Sequence, residues 1–190
     1  MNRIDLMKTH SKTIGALAVA GAVGIASVPM IGMAIGAGRI ARARRIAWTA
    51  GSISFVSVGL IGTFIAIFPD LWVNIFTDDA SVRVASRQYL STAAPMYAFI
   101  GLAMSMYFSS QGAAKVVGPV LAQSARLLFI AGGSWWLTMH GATAANFFAL
   151  AAASMGVLGV LSASSVFLTR WAPKAGPVAE ISPALSGAID

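Results

Sequence analysis

Long stretches without a single Asp, Glu, Lys or Arg constrain this chain more than any other feature of its sequence. These residues are missing from 13–38, 46–69 and 88–114, and the stretch 127–169 is interrupted only by His140. A helix needs about 20 apolar residues to cross the hydrocarbon core of a bilayer. Each of the first three stretches therefore holds one span, and the last holds two.

The chain is predicted to be an all-α, polytopic transmembrane helix bundle of about five spans. Only 10% of its 190 residues are charged and 57% are hydrophobic, whereas a soluble domain carries about 25% charged residues. The spans are expected near 14–36, 46–68, 89–111, 117–138 and 143–168. The domain organisation that follows is an N-terminal segment (1–13), the bundle (14–170) and a proline-containing tail (171–190) that is expected to be disordered.

A basic stretch, AIGAGRIARARRIAWTAG (34–51), lies between the first two spans. Its glycines fit a loose G-x-G-x-x-A dinucleotide pattern, but such a loop follows a strand in a soluble βαβ unit, and here it follows a long uncharged run. We interpret the glycines as the end of one helix. The arginines then form a cytoplasmic loop that contacts water and anionic lipid headgroups and does not bind nucleic acid; they are Arg39, Arg42, Arg44 and Arg45.

Loop charge predicts the orientation of the chain. Three regions carry basic residues and no acidic ones: the loop 37–45, Lys115 and the region 170–174. Two predicted spans separate each region from the next, so all three fall on the same side of the membrane, which the excess of basic residues identifies as the cytoplasmic side. This arrangement places the N-terminus outside and the C-terminus inside. The three N-terminal basic residues (Arg3, Lys8, Lys12) oppose that placement, and a cleaved signal peptide at this end is the alternative to a first span.

The other charged segment, 68–90, is expected to lie at the opposite membrane surface. It reads as an interfacial stretch followed by a short amphipathic helix that Asp78 or Asp79 caps. Asp79 and Arg83 stand four residues apart and are expected to form an exposed ion pair.

Polar side chains within the spans are the candidates for a substrate pathway. On the third span one helical face carries Tyr97, Ser105 and Gln111, and on the fourth Gln123 and Arg126 share a face. An arginine within a span is costly, so Arg126 either faces a cavity or extends to the cytoplasmic surface. Pro95 lies inside the third span and is the candidate hinge.

Catalytic and metal chemistry have no support in the sequence. The chain has no cysteine and only two histidines, which form no metal-binding cluster, so an enzyme is not expected. The six carboxylates all fall outside the predicted spans, although proton- or sodium-coupled transport usually places one within the membrane.

Several passages follow one another in a family-specific order: GMAIGAGRIARARRIAWTAG (32–51), an apolar helix, LWVNIFTDDASVRVASRQYL (71–90) with a proline after it, and QGAAKVVGPVLAQSAR (111–126). This series resembles the C-terminal half of multidrug and toxic compound extrusion (MATE) transporters, over residues from about 14 to 170. The resemblance implies that the five spans correspond to helices eight to twelve of a twelve-helix architecture.

The resemblance also implies a function. It is xenobiotic efflux by a multidrug/cation antiporter in the plasma membrane, the inner membrane of a bacterium, with cationic amphipathic drugs as substrates. Sodium or a proton would be the coupling ion, with no other cofactor. The family's first half and seventh helix have no counterpart here, so we expect a chain that is inactive alone and needs a homodimer or the missing N-terminal half. The alternative is a non-transporting membrane protein, either a truncated product or a half-transporter that needs a partner.

Overall fold

The computed structural model describes residues 22–171, and all regular secondary structure in this part of the chain is helical. The helices are α1 (Ala22–Gly36), α2 (Ile40–Ile67), α3 (Asp70–Phe76), α4 (Ala80–Ala93), a 3-10 turn (Ala94–Met96), α5 (Tyr97–Gly112), α6 (Val117–Met139) and α7 (Ala144–Leu168). The all-α prediction is confirmed for these residues. The segment 1–13 and most of the tail lie outside them.

Two helices, α2 and α7, are long and apolar enough to cross a membrane by length and composition. The described part of α1 is apolar but shorter. The count of five spans therefore remains a prediction.

The second helix begins earlier than the predicted span 46–68. It starts at Ile40, so Arg42, Arg44 and Arg45 lie in its first turns and not in a loop. Ala and Arg are strong helix formers, and the preceding turn is complete within three residues. The prediction of a nine-residue basic loop at 37–45 is wrong in that respect, although the glycines do end α1.

The three turns that join α1 to α2, α5 to α6 and α6 to α7 have the same backbone pattern. In the first, the N–H of Gly38 donates to the carbonyl of Ile35 at 2.9 Å and the N–H of Arg39 to that of Ala34 at 2.8 Å. This is a Schellman motif, whose central residue is left-handed. Gly38 has φ +72°, Gly141 has φ +62°, and the equivalent residue of the α5–α6 turn is Ala114 with φ +52°.

We expect the Ala114→Gly variant to be more stable than the parent chain. A left-handed conformation costs a residue with a Cβ atom about 1–2 kcal/mol, and glycine adopts it freely. Part of this gain is offset because glycine is more flexible in the unfolded chain, so we expect about 1 kcal/mol. Thermal unfolding in detergent measures it. The control is Ala113→Gly, where φ is −86° and glycine should not stabilise; equal melting temperatures for both variants would contradict the explanation.

The third predicted span, 89–111, is not one continuous helix. Helix α4 ends at Ala93, a 3-10 turn follows, and α5 starts at Tyr97. Pro95 has no N–H for the helical hydrogen bond, and its ring clashes with the preceding turn, so the helix changes its pattern here.

Helix α4 is the amphipathic helix expected in 68–90, and Asp79 is its N-cap. One carboxylate oxygen of Asp79 accepts hydrogen bonds from the N–H groups of Ser81 and Val82, at 2.8 and 3.4 Å. The side-chain hydrogen bond from Ser81, followed by these backbone bonds, lowers the pKa of Asp79. The predicted Asp79–Arg83 pair is wrong, because Asp79 is engaged in capping and Arg83 binds Asp78 at 2.8 Å.

Helix α5 lies at the centre of the described bundle and packs against α2 and α7. Small residues allow the close approach: a Cβ atom on Gly101 would lie 2.7 Å from the backbone oxygen of Ser54. Gly112, near the other end of α5, meets Val28 of α1 in the same way. These contacts fix the position of α5, and α5 is one of the helices that line the groove described below.

Apart from Arg126, the charged residues of 22–171 lie at the two ends of the bundle. At one end, which we call the basic end, the Arg44 guanidinium donates to the Thr169 carbonyl at 2.8 Å and so joins the start of α2 to the end of α7. The other arginines of 39–45 lie there, as do Lys115 and Arg170. At the opposite end, Arg87 of α4 forms an ion pair with Asp70 of α3.

Candidate functional site

A groove of about 420 Å³ lies between α5, α6 and α7. Helix α6 packs along α7 but contacts α5 little, and a small cluster of Ala103, Ala122 and Leu158 joins the three helices on one side. The groove opens beyond that cluster. Its lining is mostly apolar, and its polar members are Tyr107, Gln123, Ser124, Arg126 and Ser162.

Arg126 is the charged residue of this lining. It stands about 14 Å from the first residue of α6 and about 20 Å from the last, at 1.5 Å per residue. Its Nε donates a long hydrogen bond of 3.4 Å to the Ser154 hydroxyl. Ser154 is fully buried on α7 and itself donates to the Ala151 carbonyl at 2.6 Å. The guanidinium is thus held toward α7 and the groove.

No acidic side chain compensates this arginine within residues 22–171. The ion pairs there join Arg83 to Asp78 and Arg87 to Asp70, both at the end of the bundle opposite the basic end. A guanidinium carries five N–H donors, and Arg126 uses one of them in the hydrogen bond to Ser154. The groove therefore offers positive charge and free hydrogen-bond donors at mid-depth in the bundle.

The structure brings Gln123 and Arg126 together in the groove, as their shared helical face suggests. Tyr107 of α5 joins them, and sequence reasoning missed it. Its helical face also carries Ile100, Ala103 and Met104, which all line the groove. These four residues follow the i, i+3, i+4, i+7 spacing of one helical face, and this spacing could have indicated that Tyr107 lies beside the other three.

The other candidates on the third span lie elsewhere. Tyr97 packs against a small core of Ala93, Ala152 and Met155. Ser105 is 1% exposed, so it does not face an open cavity. Gln111 is exposed at the end of α5. None of these three lines the groove, and their role in a substrate pathway remains a prediction.

Pro95 lies in the 3-10 turn that packs against α2. The carbonyl of the neighbouring Ala94 would lie 2.0 Å from a Cβ atom placed on Gly62. The turn is therefore closely covered by α2 in this conformation. Its role as a hinge stays a prediction.

The four arginines of 39–45 do not act alike. Arg44 is partly buried and bonded to Thr169, while Arg39, Arg42 and Arg45 are exposed. Arg39 and Arg42 line a small hollow between α1 and α2 that has apolar walls. Their predicted contact with lipid headgroups remains a prediction. Within the described residues, no group of three His, Asp or Glu could hold a metal ion.

A family model described as MatE matches residues 11–135. The chain belongs to the MatE family. The match includes α1 to α5 and most of α6, and so it contains Tyr107, Gln123 and Arg126. Comparisons with curated proteins and with solved structures give no significant match.

MATE proteins are membrane-embedded transporters and not enzymes, and the apolar helices α2 and α7 fit that class. The resemblance noted from the sequence is thereby confirmed at the level of the family. The correspondence of these helices to helices eight to twelve of the family stays a prediction.

Proposed function

We propose that this chain forms a membrane-embedded bundle of a MATE-type efflux transporter for amphipathic organic compounds. The MatE match carries the proposal, because it covers α5 and most of α6, two of the three helices that line the groove. The groove volume of about 420 Å³ lies within the range of roughly 300–1,000 Å³ of small-molecule sites.

The distribution of carboxylates limits what this bundle does alone. The described acidic residues, Asp70, Asp78 and Asp79, lie outside α2, α5, α6 and α7, and the remaining three in the sequence are Asp5, Glu180 and Asp190. Coupling to a proton or sodium gradient usually uses a carboxylate within the membrane. We propose that coupling requires a partner that supplies this group.

A second bundle is needed for a further reason. Alternating access moves two repeats or bundles against each other around a central site, and the described helices pack as one. A second copy of this chain would add a bundle but no further carboxylate within the predicted spans. The complementary half of the family's architecture would add both, which favours it over a homodimer.

The second candidate function is that of a non-transporting membrane protein. The lack of carboxylates in the long helices also favours this function, because a membrane protein that transports nothing needs no coupling ion. Transport assays separate the two candidates.

Liposomes with an imposed sodium or proton gradient and a fluorescent amphipathic dye provide the test. We expect the 190-residue chain alone to give no gradient-dependent dye movement above empty liposomes. Reconstitution together with a MATE fragment that holds the first seven helices should produce movement that disappears when the gradient is dissipated. The control is that fragment alone. Movement with the chain alone would contradict the need for a partner, and no movement in the combined liposomes would contradict the efflux role.

We also propose that the bundle lies in the plasma membrane, the inner membrane of a bacterium, with its basic end in the cytoplasm. Lys and Arg collect in the short cytoplasmic loops of membrane proteins. The turns after α1 and α5 and the end of α7 all fall at the basic end, whereas the described carboxylates lie at the other. This separation supports the orientation.

A further inference from the structure

We propose that the groove between α5, α6 and α7 binds an anionic amphiphile, a single hydrocarbon chain with a carboxylate group, whose charged end contacts Arg126. As a statement about transported substrates this rests on the proposed function, but binding itself is independent of transport. It differs from the cationic substrates that the family resemblance implies.

The charge of Arg126 is the first support. The guanidinium lies near the middle of α6 and makes one long hydrogen bond, to a neutral hydroxyl. A charged side chain at such a depth is costly and usually pairs with an opposite charge or marks a ligand pathway. No carboxylate lines the groove, and both ion pairs of the described residues lie elsewhere. The missing opposite charge is what a carboxylate ligand would provide.

The remaining lining suits the rest of such a ligand. Leu127, Val120 and Met104 are exposed apolar residues on the walls of the groove, and Leu158 lies at its base. These side chains match a hydrocarbon chain. Hydrogen-bond donors are also available near the charged end, from the Gln123 amide and the Tyr107 hydroxyl. A guanidinium binds a planar carboxylate through two parallel N–H bonds, which adds geometric specificity.

Charge and size disfavour two other occupants. A cationic amphiphile would place a like charge near Arg126 in surroundings of low dielectric constant, where repulsion is strong. A two-chain phospholipid is larger than a groove of about 420 Å³ accommodates. A free, single-chain anion carries the charge opposite to that of Arg126 and is small enough for the groove.

The absence of cysteine from this chain allows a site-directed binding experiment. In the variant Ser124→Cys, an exposed residue of the lining is replaced by one of similar size, and the rate of maleimide labelling is measured in bilayer nanodiscs of zwitterionic lipid. Dodecanoate should slow the labelling, whereas dodecanol and dodecyltrimethylammonium should do so much less. The matched control Ser164→Cys is an exposed serine of α7 outside the groove, and dodecanoate should leave its labelling unchanged.

Charge variants in the Ser124→Cys background test the role of the guanidinium. Arg126→Gln should raise the half-protecting dodecanoate concentration by about tenfold or more, the effect of losing a charge-assisted hydrogen bond. Arg126→Lys should retain part of the protection. Gln123→Glu changes an exposed residue and places a carboxylate three positions from Arg126, so it should also weaken protection if Arg126→Gln fails to fold. Arg42→Gln removes a charge at the basic end and should have no effect.

Three results would overturn the proposal. These are equal or stronger protection by the cationic probe, unchanged protection in both Arg126→Gln and Gln123→Glu, and slow labelling in nanodiscs of anionic phospholipid without dodecanoate. The last result would assign the groove to bilayer lipid. The labelling experiment measures binding without a gradient, whereas the liposome experiment measures gradient-dependent transport. Either experiment can therefore fail while the other succeeds.

Discussion

The Gly62→Ala variant is expected to lose the packing of α2 against the 3-10 turn and to unfold far more readily than the parent chain. An alanine Cβ atom at this position would lie 2.0 Å from the carbonyl oxygen of Ala94 and 3.0 Å from its carbonyl carbon. Both are backbone atoms, so relief requires that the helices move apart. Overpacking of this kind typically costs 1–3 kcal/mol, occasionally more, and we expect about 3 kcal/mol.

Thermal unfolding in detergent, followed by helical circular dichroism, measures this effect. The matched control is Gly132→Ala in α6, where a Cβ atom would meet no atom within 4 Å. Alanine in a helix interior is more favourable than glycine by about 0.5–1 kcal/mol, so the control should be unchanged or slightly stabilised. Similar melting temperatures for the two variants would show that α2 does not approach the turn as described.

The second large effect is expected in a labelling experiment on the orientation of the chain. Ala41→Cys places a thiol at the start of α2, at the basic end, and Ala80→Cys places one at the start of α4, near the opposite end. Both parent alanines are exposed. If the basic end is cytoplasmic, an impermeant maleimide should label the Ala80→Cys protein in intact cells. It should label the Ala41→Cys protein only after the membrane is permeabilised.

The two variants are controls for each other, since both carry the same substitution at an exposed helix start. The reverse pattern would place the basic end outside. Labelling of both in intact cells would show that the residues between them do not separate the two ends across a membrane.

The spacing of charged residues predicts most of the helices, because the charge of a residue can be read from the sequence without knowing how the helices pack. The uncharged runs that end before Arg39 and Asp70 each correspond to one helix, α1 and α2, whereas the run that ends before Lys115 is divided by the 3-10 turn. The boundaries were less accurate, since α2 extends back to Ile40 through arginines that are good helix formers. Arginine at a membrane surface is compatible with a helix as well as with a loop, and the sequence pattern does not distinguish them.

The site was predicted only in part, because it depends on how helices pack. Gln123 and Arg126 share a face of one helix, which periodicity alone reveals. Tyr107 joins them because α5 is rotated so that its other face meets α1 and α2, and that rotation follows from contacts at glycines such as Gly101. The close approach at Gly62 has the same origin, since its partner Ala94 comes from a turn 32 positions along the chain (94 − 62).

The bond between Arg44 and Thr169 has a consequence for the timing of synthesis. Its partners are 125 positions apart in the chain. At 5–20 residues per second, Thr169 is made roughly 6–25 s after Arg44. During that interval the Arg44 guanidinium has to be solvated by groups other than the Thr169 carbonyl. The end of α7 therefore reaches this arginine late in synthesis, and the bond that joins α2 to α7 at the basic end forms only then.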